Sequence, residues 1–374
     1  MTTVTTPSPE ELRAVLAKVA DSLLLLPYEA WNFGDSVAFE GMLAASARLG
    51  DERWATFAHG FVRGWAADRR PFVRLDCTAP GLAMVEVARC TGDARVSEPA
   101  IRLAQYLLDR PRIGPLFATW EHSPLQHPYG PGQLPADQVR LLASPPPGAF
   151  IDCLHFDPPF LVALGAHVSR ESLVEEGVRQ ALGYIEVLQR EDGTFDHFVL
   201  EGSDRTYGPR WGRGQGWALL GLLDVIEHLP DADPRIEPLT AAAARLVQAM
   251  LVTQRQDGHW DAVVGDPASG DETSTSAFMA DGFLRAARLG VVPVDAVLEP
   301  ARRALVAALA STSEDGVLGG VSAAVNACTL PSHYAHVPRG FVVPWGQGPL
   351  AMALAEALDP DGPLLSRTDV MAHP

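Results

Sequence analysis

Apolar residues recur along this chain at the three- and four-residue intervals of a helix face, and the stretches that carry them come in pairs. The pairs run 38–49 with 52–68, 80–91 with 94–110, 158–168 with 171–190, 215–229 with 236–254, and 274–289 with 294–311. A helix over about 347–358 has no successor and the N-terminal one, Pro9–Leu26, has no predecessor, so together they complete a sixth pair. First members are rich in Ala, Gly and Leu with few charges, as in Gly81-Leu-Ala-Met-Val-Glu-Val-Ala88. Second members carry Arg and Glu at amphipathic spacing, as in Glu171-Ser-Leu-Val-Glu-Glu-Gly-Val-Arg179. A helix apolar on all sides is buried, and one with a single apolar stripe is covered on one side only. The pattern therefore predicts an all-α (α/α)6 toroid, six inner helices ringed by six outer ones, closed by the chain's two ends and forming one domain over 1–374.

An internal repeat supports this reading. Gln189-Arg-Glu-Asp-Gly-Thr-Phe195, Gln254-Arg-Gln-Asp-Gly-His-Trp260 and Ser313-Glu-Asp-Gly-Val-Leu318 share an Asp-Gly step, with glycines 65 and 58 residues apart. Each follows a second-member helix, so the glycine reads as a helix stop in the left-handed conformation. A period near 60 is long enough for two helices and their connections. One stretch breaks the rhythm: residues 111–150 hold nine prolines, with Trp120, His122, His127 and Tyr129 among them. Irregular segments of that length are most often lids or binding loops, and this one is predicted to be a lid because it ends against Phe150-Ile-Asp152.

Composition narrows the chemistry. With 374 residues, 47% hydrophobic and 20% charged, there is ample core material for a globular fold. The 46 acidic against 29 basic residues give a formal charge of −17, a field that repels nucleic acid and anionic membranes. The apolar runs are too short for a membrane span, and the first residues lack the basic start and apolar stretch of a secretory signal, so the expected location is cytoplasmic. Lys18 is the only lysine, which excludes a phosphate-loop lysine. Cys77, Cys90, Cys153 and Cys328 show no C-x-x-C spacing and read as reduced, mostly buried thiols. Gly212-Arg-Gly-Gln-Gly216 follows no strand, which argues against a dinucleotide loop. His333 and His336 are flanked by Pro331 and Pro338 without supporting carboxylates, so neither a metal nor a cofactor is expected.

In such a toroid every connection from an outer helix to the next inner one lies at the same end, and those connections hold the candidate chemistry. Trp31 and Asp35 precede the first inner helix, Asp76 the second, and Asp152 the third. His197, Trp211, Arg213 and Trp217 straddle the start of the fourth; Trp260 and Glu272 precede the fifth, and His333, Tyr334 and Trp345 the sixth. Aromatics for sugar faces, carboxylates for proton transfer and an arginine for a carboxylate describe a carbohydrate pocket at helix N-termini. Bland roles compete with these. Asp152 lies six residues before a helix starting near Pro158, too far to cap it, whereas Asp76 could be a turn residue. Arg213 could pair with Glu201 or Asp204, the tryptophans could be core, and His122, His127, His155, His333 and His336 read as surface or turn histidines.

Three segments resemble a known family. Phe150-Ile-Asp-Cys-Leu-His-Phe-Asp-Pro-Pro-Phe-Leu161, Trp211-Gly-Arg-Gly-Gln-Gly-Trp217 and Gly346-Gln-Gly-Pro-Leu-Ala-Met-Ala-Leu-Ala-Glu356 look like the unsaturated glucuronyl and rhamnogalacturonyl hydrolases, glycoside hydrolase families 88 and 105. The W-x-R-G-x-G-W element is the most specific of the three, and the similarity runs in order from about Trp31 to Glu356. The resemblance implies the (α/α)6 fold, with Asp152 as proton donor and Asp76 as second carboxylate. It also implies Arg213 with Trp217 as the pair for the unsaturated uronate, and His197 as a further pocket residue. Trp211, Trp31, Phe150, His127 and Trp345 complete the candidate binding set. Phe150 stands where the family usually has tryptophan, and His155-Phe-Asp157 replaces a commonly apolar segment.

The implied activity is removal of a terminal 4,5-unsaturated uronic acid from short oligosaccharides made by a polysaccharide lyase. The substrate is a vinyl ether, so an acid protonates C4, water adds at C5, and the hemiketal collapses. The carboxylate-spacing rules for ordinary retaining and inverting enzymes do not apply directly. Sugar epimerases, ordinary glycosidases, a biosynthetic tailoring enzyme on a non-polysaccharide substrate, or a purely binding toroid are the alternatives, since fold does not fix function.

Overall fold

Ser8 sets the first helix. Its hydroxyl accepts from the Glu11 backbone N–H at 3.3 Å while the Glu11 carboxylate accepts from the Ser8 N–H at 2.7 Å, a reciprocal cap that starts α1 (Pro9–Leu23). The computed structural model describes residues 7–28, 34–68, 81–119, 129–130, 133–144, 146–325 and 330–359. Along them α2 (Asp35–Leu49) and α3 (Arg53–Ala67) follow α1, then α4 (Gly81–Thr91) and α5 (Ala94–Leu108), with the short α6 (Ala136–Ala143) inside the proline-rich segment. The regular alternation resumes with α7 (Cys153–His167) and α8 (Glu171–Leu188), α9 (Gly212–His228) and α10 (Ile236–Thr253), and α11 (Thr273–Arg288) and α12 (Val294–Ala310). A single turn, α13 (Pro331–Tyr334), precedes α14 (Pro344–Ala357).

The helices close a ring. Each of α2, α4, α7, α9, α11 and α14 packs on the next, and α14 packs back on α2. Outside them α3, α5, α8, α10 and α12 lie against their partners, and α1 covers α14 and α2, completing the sixth hairpin from the two ends of the chain. This is the (α/α)6 toroid that the periodicity predicts. The inner helices α7 and α9 are buried along nearly their whole length, whereas α8 and α10 bury one stripe.

Three expectations change. Inner helix α7 begins at Cys153 rather than near Pro158, and carries Pro158 and Pro159 in its interior. A proline at 158 removes the donor that would bond the Leu154 carbonyl, and a Cβ built on Gly221 of α9 would collide with that same carbonyl. Gly221 therefore lets the neighbouring helix close over the gap in the ladder. The Asp-Gly steps do not stop helices either: α8, α10 and α12 end at Leu188, Thr253 and Ala310, and Gly193, Gly258 and Gly316 come five or six residues later, at φ of 90°, 89° and 82°. Each instead tucks under the next outer helix, against the backbone of Arg245 in α10, Arg303 in α12 and Lys18 in α1 respectively. Side chains reinforce the staple, Gln189 donating to Ala242 O, Gln254 to Pro300 O and Lys18 Nζ to Glu314 O. The repeat is thus the device that joins outer helices around the ring.

The third change concerns 111–150. It is not irregular throughout: β1 (Arg112–Ile113) pairs with β2 (Leu116–Phe117), and β3 (Gly148–Phe150) joins β4 (Phe198–Leu200) and β5 (Thr206–Tyr207) in a small antiparallel sheet at the mouth. Trp120, His122 and His127 lie outside the described residues. Of the cysteines, Cys153 is buried and Cys90 is exposed; Cys77 and Cys328 lie outside the described residues. Among the described residues no helix is long and apolar enough to cross a membrane.

Candidate active site

The N-termini of the inner helices share one end of the ring, where β3 and β4 bring two candidates together. Phe150 pairs with Phe198, and the Ile151 N–H donates to His197 O at 2.8 Å, which pins the residues flanking Asp152 to those flanking His197. Asp152 occupies the position just before α7, closer to the helix than its sequence spacing from Pro158 indicates, yet its side chain makes no capping hydrogen bond. Its carboxylate, in a residue 3% exposed, lies 3.4 Å from His197 Nε2. The other ring nitrogen, Nδ1, is hydrogen-bonded to Tyr334 Oη at 2.7 Å. Trp211 covers the imidazole at a ring distance of 4.3 Å, and Phe150 meets it edge-on at 5.4 Å. A carboxyl group held in an aromatic enclosure beside one imidazole is an arrangement suited to proton transfer.

Arg213, on the first turn of α9, is fully buried. Nη1 donates to Ser322 Oγ at 2.6 Å and stands 3.4 Å from Glu272 Oε2; Nη2 donates to Ala323 O at 2.9 Å. The guanidinium lies over Trp211 at 4.8 Å and near Trp345 at 5.8 Å. Burial pushes its pKa down, and the carboxylates of Glu272 and Asp152 oppose that. Its ion partner is thus Glu272 rather than Glu201 or Asp204, a pairing across two connections that sequence distance conceals. Nε is buried and has no hydrogen-bond partner.

The aromatics divide. Trp211 and Trp345 flank Arg213, the Trp345 indole donating to Ser322 O at 3.0 Å. Trp217, one helical turn after Arg213 on α9 and equally buried, stacks on His155 at 5.4 Å and packs against Phe156 and Phe278. The glycines of 212–216 serve packing as well: a Cβ on Gly216 would stand 2.5 Å from the Phe278 ring. Asp76, Trp31 and His127 lie outside the described residues.

Nothing in the sequence gives Tyr334 a chemical role beyond its position, and nothing in it marks Gln215. That side chain accepts from Phe195 N at 2.7 Å and donates to Phe195 O and Trp211 O at 2.9 Å each, tying the Asp-Gly turn before His197 to α9. His155 is not a surface or turn histidine: it is wholly buried between Glu40 and Asp224, at 3.1 and 3.0 Å. Burial alone would lower its pKa, but those two carboxylates push it up to about 10. His333 is buried too.

Residues 15–359 match the model of Glycosyl Hydrolase Family 88. The chain is 25% identical over 352 residues to the unsaturated rhamnogalacturonyl hydrolase YesR of Bacillus subtilis, covering 93% of this chain and 95% of that protein. Among solved structures it resembles a possible member of the GH105 family from Salmonella enterica, with TM-score 0.79, 21% identity and 96% of each chain covered. It also resembles the unsaturated glucuronyl hydrolase of Bacillus sp. GL1, with TM-score 0.67, 19% identity, and 94% of this chain and 96% of that one covered.

Proposed function

The chain belongs to glycosyl hydrolase family 88, and from that premise we infer that it removes a terminal 4,5-unsaturated uronic acid from short, lyase-generated oligosaccharides. The names of YesR and of the Bacillus sp. GL1 enzyme, which specify unsaturated rhamnogalacturonyl and glucuronyl hydrolysis, support that substrate class. The observation that carries the reading is the Asp152 carboxyl group: buried, free of any capping role and 3.4 Å from His197 Nε2.

Asp152 gives its proton to C4 of the vinyl ether, and positive charge develops at C5 and the ring oxygen. Water adds to C5 and returns a proton to the Asp152 carboxylate. The hemiketal then opens and the aglycone sugar leaves. His197, fixed through Nδ1 by Tyr334, keeps the carboxyl group oriented across this cycle. Arg213 is the residue assigned to the uronate carboxylate, a local attraction set against the chain's net negative charge. Trp211, Trp345 and Phe150 supply faces for the sugar rings. Asp76 is the second carboxylate of this reading, and Trp31 and His127 belong to its binding set. Segment 111–150 serves as the lid, and its support is Gly130, where an added Cβ would collide with His336 of the sixth connection.

The test is a panel of lyase-generated oligosaccharides followed by the ultraviolet absorbance of the conjugated double bond. Loss of absorbance with release of the neighbouring sugar is expected for at least one linkage. No change across glucuronyl and galacturonyl substrates refutes the reading.

A further inference from the structure

The sixth connection carries a cation that the reaction does not use. Ser322, whose Oγ accepts from Arg213 Nη1, pairs across an antiparallel bridge with Arg339. Ala323, whose carbonyl accepts from Arg213 Nη2, donates its own N–H to Pro338 O at 2.9 Å. The N–H groups of Gly340 and Phe341 both donate to Val321 O, at 3.0 and 3.3 Å. Exposure rises along this path, from wholly buried Arg213 and buried Ser322 through half-buried Arg339 to Phe341, which is 45% exposed. The segment 338–341 is therefore a rim fixed to the seat of Arg213 and open to solvent.

Arg339 is held in place but not neutralised. Its Nη2 donates to Ser269 O of the fifth connection at 2.6 Å, and Nη1 lies over Gly270, where an added Cβ would stand 3.2 Å from it. The buried Nε has no hydrogen-bond partner. Carboxylates of the fifth connection are engaged elsewhere, Asp261 and Asp271 by Arg255 and Glu272 by Arg213. In the fourth connection Arg205 and Arg210 pair with Asp137 and Asp192. Among the described residues Arg339 makes no ion pair, in a chain of net charge −17. A guanidinium anchored through one nitrogen holds its other donors in a rigid fork, the shape that matches a carboxylate or sulfate. Phe341, two residues on, offers a ring face to a sugar.

We propose that Arg339 is a specificity-determining residue that binds an anionic group, carboxylate or sulfate, on the aglycone of the unsaturated oligosaccharide, with Phe341 against the sugar that carries it. This rests on the hydrolase reading and narrows its substrates to those with acidic aglycones. The sign of the effect is diagnostic. The chain's net field disfavours a further negative charge on the substrate, so a preference for the charged aglycone requires a local cation.

The experiment measures kcat/KM of the full chain on two matched pairs of substrates, each ending in the unsaturated uronate. One pair is a tetrasaccharide of alternating uronate and rhamnose with its internal carboxyl group free or methyl-esterified. The other is a uronyl-hexosamine disaccharide with or without a 6-sulfate. In at least one pair the anionic member should be preferred at least about tenfold, the worth of a hydrogen-bonded charge pair. Arg339→Met should abolish that preference and Arg339→Lys should keep part of it. A merely structural role would slow both members alike and leave their ratio unchanged. Should Arg339→Met fail to fold by circular dichroism, Arg339→Gln carries the same expectation. Turnover without preference in either pair, or a ratio unchanged in a folded charge-removing variant, would overturn the proposal while leaving the hydrolase reading intact. No turnover of any of the four substrates would remove both.

Discussion

Arg213 gives a prediction whose size follows from its contacts. Replacing it with methionine keeps an unbranched stem as far as the position of Nε and removes the charge, so Glu272, 1% exposed, loses the cation beside Oε2 while Oε1 keeps its bond from Ser274 Oγ at 2.6 Å. The bonds to Ser322 Oγ and Ala323 O disappear as well. Breaking a buried ion pair by removing one partner costs about 3–5 kcal/mol. With an unfolding entropy of about 2.1 cal/mol/K per residue, a chain of this length loses roughly 4–6 °C of Tm for that change. Differential scanning calorimetry at pH 7 measures it. The double variant Arg213→Met with Glu272→Gln should recover part of the loss, because the stranded charge is gone. Arg213→Lys retains the charge and should melt closer to wild type while KM for the unsaturated substrate rises, since an ammonium cannot reproduce the fork. A Tm for Arg213→Met within about 1 °C of wild type, a shift worth under ~1 kcal/mol on the same scale, would refute the buried-pair argument.

Tyr334→Phe removes the 2.7 Å bond to His197 Nδ1 and should lower kcat/KM about tenfold with Tm nearly unchanged, read from initial rates and a melting curve. Gly258→Ala forces a Cβ against the Arg303 carbonyl at φ 89° and should lower Tm, whereas alanine at Gly50, also at positive φ but with open space around it, should cost less. Burial pushes the Asp281 carboxyl up from 3.8 to about 7. A raised carboxyl favours the folded state most when protonated, so its contribution is complete below pH 3.8 and is lost as pH rises toward 7. Asp281→Asn should therefore match wild type in acid and exceed it above pH 7, by up to about 4 kcal/mol, in urea unfolding measured across pH.

The ring was legible because hairpin periodicity is a local property: all-apolar against one-stripe helices told inner from outer before any contact was known. The pairing of the chain's two ends followed from counting unmatched helices. Register was less accessible. Pro158 and Pro159 look like a helix start, and only the close approach of Gly221 explains why α7 runs through them. The Asp-Gly steps were visible as a repeat, but their role depends on the neighbouring outer helix, which sequence distance hides. At the candidate site, motif and position single out Asp152, His197 and Arg213, and the structure brings Asp152 within 3.4 Å of His197. The Glu272 partner and the Gln215 clamp were not legible, because each bridges connections far apart in sequence. His155 reads as a surface or turn residue for a similar reason: its environment is set by Glu40 and Asp224 on two other helices. The signal was available, since charged residues on otherwise Ala- and Leu-rich inner helices must find partners across the ring.

The central claim is that Asp152 delivers a solvent-exchangeable proton to C4, and the most direct measurement is turnover of an unsaturated oligosaccharide in deuterated water. The account predicts one deuterium at C4 of the released deoxy-keto sugar, seen by NMR. Asp152→Asn should make the same product at a kcat lower by roughly 10²–10⁴-fold. Product without deuterium at C4, or an Asp152→Asn rate near that of wild type, would contradict it.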